Sequence, residues 1–363
     1  MTASPPSPPS PPSPPSPASP GSANDGPSAE APTGPFPAFV VTRDGEEVRS
    51  AVTTLAGTDL PDGDVVVEVA WSAVNYKDGM VTRPGNRVAR VSPLVPGVDL
   101  VGTVVASATR SVPVGRPVEV HGYDLGVSRH VGFARYARLP SEWVVDLPDG
   151  LTPRRAAALG TAGFTAALSL HRLERHGLQP GSGPVLVTGA SGGVGGMAVA
   201  LCAARGYEVV ASTGRTEERA YLLGLGAADV IGRDDLVQAP ERTLGPERWA
   251  GAIDCVGGAT LATVLRTLHY GAAVAASGLT GGTSVETTVY PFIVRGAALL
   301  GIDTVETPIG ERRSVWVEMA ASFPPGVIDT LVEGEVGLTG LGPVLTSILA
   351  GRVRGRMLVR PGG

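Results

Sequence analysis

The chain has 363 residues, 43% apolar and 17% charged, enough for two domains or one large one with a substantial core. Its formal net charge of −5 comes without any block of arginines, which argues against nucleic acid as a partner. The two cysteines, Cys202 and Cys255, have no CxxC spacing, so a four-cysteine zinc site is excluded and a disulfide framework is disfavoured.

Residues 1–35 open with repeated Ser-Pro-Pro. Proline lacks an N–H and fixes φ, so this stretch is expected to be a disordered, partly polyproline II tail. It reads as a solvated extension or an upstream translation start rather than a docking segment for proline-recognition modules. It has neither the basic nor the apolar region of a secretory signal, and no apolar run in the chain reaches the roughly 18–20 residues of a membrane span. A cytoplasmic protein with no membrane partner is expected.

From about Phe36 the texture changes. The valine-rich stretches "VVVEVAWSAV" (65–74), "GVDLVGTVVAS" (97–107), "GRPVEVHG" (115–122) and "EWVVDLP" (142–148) read as short strands separated by turn signals, a barrel-like pattern. Next, 152–177 reads as a helix, with Thr152 as N-cap and Pro153 at its first position. Strand-like and helix-like segments then alternate: 183–195, 196–205, 207–213, 216–224, 249–258, 259–268 and 271–278. That alternation predicts βαβ units and a parallel sheet. "LLGIDTV" follows, and "ILAGRVRGRMLV" predicts a helix followed by a last strand.

Within 185–195, "VLVTGASGGVG", an apolar strand runs into a glycine turn that opens a helix. This is the dinucleotide pattern G-x-G-x-x-G with alanine first: Ala190, Gly192 and Gly195. Glycine lets the backbone approach a pyrophosphate, and the helix N-terminus offers free N–H groups. About twenty residues on, where a carboxylate would hold a ribose 2′-OH, the chain has Thr213, Gly214 and Arg215. A guanidinium there suits a 2′-phosphate and points to NADPH; the alternative is an arginine capping a solvated loop.

The five histidines are scattered, and no His-Glu-x-x-His or paired Cys/His set occurs. His171 and His176 lie on different faces of one helix. Alcohol oxidation through a metal-bound alkoxide is therefore not expected. Hydride transfer without a metal suits an activated C=C or a quinone, whose oxygen takes the developing charge.

Together these features resemble the zinc-free branch of the medium-chain dehydrogenase/reductase superfamily, and more closely its acryloyl-CoA reductase family, often labelled quinone oxidoreductase-like. The resemblance spans about residues 38–360 and is carried by "SAVNYKDGM", "PGVDLVGTV", "GTAGFTAAL", "VTGASGGVGGMAVAL", "GYEVVASTGR", "YGAAVAASGLTGG" and "GRVRGR". It implies an α/β fold: a GroES-like β-barrel domain (36–157 and 292–363) plus a doubly wound Rossmann NADPH-binding domain (158–291).

It also implies site residues. Tyr76 would face the nicotinamide. Ser191, Gly192, Gly193 and Val194 would line the pyrophosphate. Thr213, Gly214, Arg215 and Arg233 would hold the 2′-phosphate end, and Leu279, Ile293 and Thr304 would touch the nicotinamide half. Gly351 would approach from the C-terminal segment. Asp99 falls where zinc-binding relatives carry an acidic residue of their metal site, and is expected to stabilise a turn. "RHVGFARYA" (129–137), bordering the substrate cleft, departs from the family pattern.

The implied reaction is NADPH-dependent reduction of a short 2-enoyl-CoA, with Tyr76, or a water held by Asn75 and Asp78, protonating Cα. Alternatively Tyr76 only stacks on the nicotinamide. Lys77, the sole lysine among 29 basic residues, would pair with Asp78 or the cofactor, or be plain surface. Other readings are an NADPH:quinone reductase and a non-catalytic NADPH-binding redox sensor. Relatives dimerise through the Rossmann sheet edge, which makes a homodimer the expectation.

Overall fold

A computed structural model describes residue 32 and residues 34–237 and 243–363; the expected tail lies almost wholly outside the described residues. The chain starts with a hairpin, β1 (Phe36–Asp44) and β2 (Glu47–Leu55). Then come β3 (Val65–Ala73), α1 (Tyr76–Val81), β4 (Asp99–Ser107), β5 (Pro117–His121), β6 (Tyr136–Leu139) and β7 (Val145–Asp146). Of the strand expected over 142–148 only β7 forms, after a single 3₁₀ turn at Ser141–Trp143.

The long helix α2 (Pro153–Arg175) begins as expected: the Thr152 hydroxyl accepts from the Arg155 N–H at 3.3 Å. It is kinked at Gly160, whose φ of 45° and ψ of −150° leave the helical region. The alternating part follows: β8 (Val185–Thr188), α3 (Gly193–Ala204), β9 (Val209–Thr213), α4 (Arg219–Gly224), β10 (Asp229–Gly232), β11 (Gly251–Asp254), α5 (Gly258–Thr267), β12 (Ala273–Ala276), α6 (Tyr290–Arg295) and β13 (Ala298–Gly301). The chain ends with α7 (Ile309–Ser322), α8 (Pro325–Thr330), β14 (Val332–Gly337), α9 (Leu341–Leu349) and β15 (Arg356–Arg360).

Two sheets follow from the two textures. Strands β10-β9-β8-β11-β12-β13 form one parallel sheet. Its central strands β8 and β11 are buried throughout, which explains why β8 opens on the apolar run Val185–Val187. Strands β14-β15-β3-β4-β5-β7, with β6 on β3, form the other; all its pairs are antiparallel except β14–β15. The parallel sheet reaches Gly301, past the boundary expected at 291, and α2 runs through the one expected at 157. The C-terminal strand β15 returns beside β3, pairing Leu358 with Ala73 and Val359 with Ser72. That pairing brings the last residues of the chain to the segment after β3.

Candidate functional site

The parallel sheet runs outward in both directions from β8 and β11, so the carboxyl ends of these two strands flank a topological switch point. The glycine bend lies there. β8 stops at Thr188, whose hydroxyl donates to Asp254 of β11 at 2.7 Å, and Gly189 turns the chain with φ +61°. A Cβ on Gly195 would stand 2.6 Å from the Ala190 Cα, so α3 packs too closely on the bend for any side chain. The first N–H groups of α3 have no intrahelical partner, and no side chain caps the helix.

Next to the bend, the Ser191 and Thr213 hydroxyls share a hydrogen bond of 2.9 Å. Arg215 spans them: its Nε donates to Ser191 Oγ (3.1 Å) and its Nη2 to the Ser191 carbonyl (2.9 Å) and the Val353 carbonyl (3.2 Å). The Arg233 N–H donates to the Thr213 carbonyl at 2.9 Å, and its exposed guanidinium lies over Gly214, where any Cβ would collide with it. The residues expected at the 2′-phosphate end are thus assembled around the end of β9, with the C-terminal segment laid across them. Glycines that keep the cradle free of Cβ atoms, unpaired helix N–H groups and two guanidiniums together fit a phosphorylated dinucleotide.

The second half of the site is the wall after β3. Asp78 has no exposed surface; its carboxylate accepts from the Asn75 N–H (2.8 Å) and from the Gly97 and Val98 N–H groups (both 3.1 Å). Burial and the nearby Asp99 carboxylate push its pKa up to about 7, against the pull of those three donors. The sequence suggested that Asp78 helps hold a water; in the fold it is fully buried and clasps α1 to the start of β4.

Asn75 is engaged likewise. Its Nδ2 donates to Asp99 (2.9 Å) and to the Ala73 carbonyl (3.1 Å), and its Oδ1 accepts from Arg356 (3.1 Å). Asp99 also accepts from the Ala73 N–H (3.0 Å) and the Thr161 N–H (3.1 Å), the latter released by the kink at Gly160. Asp99 thus ties β3 to α2 across the site, a larger role than stabilising a turn. Tyr76 is half-buried, and among the described residues its hydroxyl has no hydrogen-bond partner. Lys77 forms no ion pair among the described residues.

The remaining expected residues are more dispersed. Leu279, 48% exposed, follows β12 and lies against Gly257, the N-cap of α5. Thr304 is in the crossover from β13 to α7, where its carbonyl accepts from the buried Arg312. Ile293 is 71% exposed on α6, with no bond to the bend or wall. Gly351 ends α9 with φ +68°, two residues before the carbonyl that Arg215 holds. Sequence reasoning missed Arg356 as a hub; its only signal was its place in "GRVRGR". Among the described residues, no group of three His, Cys, Asp or Glu could hold a metal ion. No helix among them is long and apolar enough to cross a membrane.

Two family profiles match: the alcohol dehydrogenase GroES-like domain over residues 61–149 and the zinc-binding dehydrogenase family over 193–321. The acrylyl-CoA reductase AcuI of Ruegeria pomeroyi is 46% identical over 328 residues, 89% of this chain and 98% of its own length. YhfP of Bacillus subtilis, provisionally named a quinone oxidoreductase, is 46% identical over 325 residues, covering 90% and 98%. Its crystal structure with NAD bound superposes with a TM-score of 0.88. Escherichia coli YhdH with bound NADPH is 40% identical with a TM-score of 0.87, covering 89% of this chain and 99% of its own. The chain thus belongs to the medium-chain dehydrogenase/reductase superfamily and is an oxidoreductase of its quinone oxidoreductase- and acrylyl-CoA reductase-like group.

Proposed function

We propose that the protein reduces the C=C bond of a short 2-enoyl-CoA, acryloyl-CoA to propanoyl-CoA, with NADPH and without zinc. Ser191, Gly192, Gly193 and Val194 hold the pyrophosphate, and Thr213, Gly214, Arg215 and Arg233 the 2′-phosphate end. Leu279, Ile293, Thr304 and Gly351 close around the remainder. Bound there, the dinucleotide supplies a hydride equivalent for Cβ.

Tyr76 presents a phenol whose proton is not committed to any partner among the described residues, and it delivers that proton to Cα as the thioester oxygen loses its charge. Asn75 and Asp78 hold the wall that carries it. The observation that carries the enoyl-CoA reading is the 46% identity with the Ruegeria acrylyl-CoA reductase over 98% of that enzyme. NADPH over NADH is supported by Arg215 and Arg233 at the end of β9, where an NAD site would carry a carboxylate. A homodimer joined along β13, an edge of the parallel sheet with Leu299 44% exposed, and a cytoplasmic location belong to the same reading.

The provisional name of YhfP favours a second reading, an NADPH:quinone oxidoreductase. NADPH consumption measured in parallel with acryloyl-CoA and with a benzoquinone separates the two. The proposal expects kcat/KM higher for acryloyl-CoA by a factor of about 100 or more; the reverse order sinks it. Tyr76→Phe is expected to lower kcat about 10²–10⁴-fold at saturating NADPH. An unchanged kcat removes Tyr76 as the acid and leaves it as a stacking surface.

A further inference from the structure

We infer that Arg356 is a positioning residue for this reduction: its one guanidinium sets the Tyr76 wall in register with the glycine bend. The inference rests on the functional reading above and adds a residue to it. Arg356 opens β15 and is 2% exposed. Its Nε donates to the Ala158 carbonyl of α2 at 3.0 Å. Its Nη1 donates to the Val74 carbonyl (3.2 Å) and to Asn75 Oδ1 (3.1 Å), the two residues before Tyr76. Its Nη2 lies 3.7 Å from the Asp99 carboxylate. A Cβ placed on Gly193, the first residue of α3, would stand 3.3 Å from Nη1 and 3.4 Å from Cδ. One rigid fork therefore meets four elements: α2 before its kink, the end of β3, the start of β4 and the mouth of the dinucleotide cradle.

Two features separate this from an ordinary buried ion pair. First, Asn75 closes a ring, because its Nδ2 reaches the Asp99 oxygen that faces Arg356. A shift of the guanidinium would therefore drag Val74 and Asn75 with it, and Tyr76 next in line. Second, Arg356 Nη2 is buried without a hydrogen-bond partner among the described residues. A buried donor left unsatisfied is a cost that stability alone does not explain. The strand itself is pinned to the bend one residue earlier, where the Gly355 N–H donates to the Ser191 carbonyl at 3.1 Å. Lysine could keep the charge but not the planar fork that serves Ala158, Val74 and Asn75 together.

Arg356→Lys tests this in the full chain, with Asn75→Ala as a second variant that opens the ring and leaves the Arg356 charge in place. Arg356→Lys is expected to lower kcat about 10–100-fold with whichever acceptor the wild type uses, because reacting groups displaced by an ångström lose that much. Its NADPH dissociation constant should move less than about threefold, so that the loss is in kcat rather than binding. The double variant should lose no more than the worse single one, as for residues acting through one ring. An Arg356→Lys kcat equal to wild type, a binding loss that accounts for the whole drop, or additive losses overturns the role.

Wild type that consumes NADPH with neither acceptor removes the functional reading instead. Arg356 is then decided by the fluorescence of bound NADPH, which needs no acceptor. Emission shifted toward that of free NADPH in Arg356→Lys upholds the role, and emission identical to wild type ends it.

Discussion

The glycine bend and the Tyr76 wall meet through Arg356 but are built in opposite ways. The bend is contiguous: residues 189–195 carry the turn, the close approach and the helix N-terminus in a single stretch. The wall is assembled from afar, since Asn75 bonds to partners 24 and 281 positions away in the chain. Binding a dinucleotide requires a backbone shape that local glycines dictate. Placing an acid against a reacting carbon requires several elements to agree, and buried polar residues enforce that agreement. Substitutions at the bend should therefore act through cofactor affinity, and those at the wall through turnover and fold.

The sharpest way to break this division is Gly160→Ala. Gly160 belongs to the wall, because its kink frees the Thr161 N–H for Asp99, and an added Cβ would stand 2.8 Å from the Asp99 carboxylate oxygen. Its φ and ψ also lie where only glycine is at ease. Strain and collision together should cost about 3 kcal/mol or more, seen as a melting temperature lower by about 5 °C or more. Calorimetry giving an unchanged transition would mean that the kink is not held by Asp99.

At the bend the expected effect is smaller and of another kind. Arg215→Ala should raise the dissociation constant for NADPH about 10–100-fold, the loss of charge-assisted bonds to a phosphate, and leave NADH within about threefold. Fluorescence titration with both nucleotides checks it. Equal loss for NADH would assign Arg215 to tethering Ser191 and Val353 instead.

These two tests also mark what could be read from the sequence. The bend, the strand–helix alternation and Thr152 as a cap were legible because each is decided by neighbours in the chain. Asn75 and Asp78 were recognised as important, but their orientation was not. Asp78 turns inward because the Gly97 and Val98 N–H groups, nineteen and twenty residues away, need an acceptor. Arg356 was invisible as a hub, since nothing adjacent to it marks the four elements that meet there. The missed end of the parallel sheet has the same cause: β13 is defined by its pairing with β12.

The pH dependence of stability probes the clasp more gently. Asp78 titrates near 7 in the fold against an ordinary 3.8, so the folded protein holds a proton that the unfolded chain has lost. Its contribution to stability should thus be full below about pH 4, fall as pH rises toward 7, and stay constant above. Buried Glu119, raised for the same first reason, adds a slope of the same sign. Asp78→Asn should flatten the curve between pH 4 and 7 relative to wild type, measured by chemical denaturation. A slope unaltered by the substitution would assign it to the other raised carboxyls, Glu119 and Asp254.

Lys77 should give the smallest effect. Next to it, Asp78 is fully buried with its carboxylate turned to backbone N–H groups, and the expected Lys77–Asp78 pair is not formed. Half-buried and without an ion pair among the described residues, Lys77 should change stability by no more than about 0.5 kcal/mol when replaced. Lys77→Met should therefore leave the melting temperature within about 2 °C of wild type. Its position beside Tyr76 still allows attraction of an anionic acceptor from solution, a force screened over about 10 Å at 0.1 M salt. If the acceptor is a CoA ester, Lys77→Met should raise its KM a few-fold at low salt and not at high salt; a neutral benzoquinone should show no change at either. A KM shift that persists in high salt would place Lys77 in direct contact with the acceptor, as part of the wall rather than its rim.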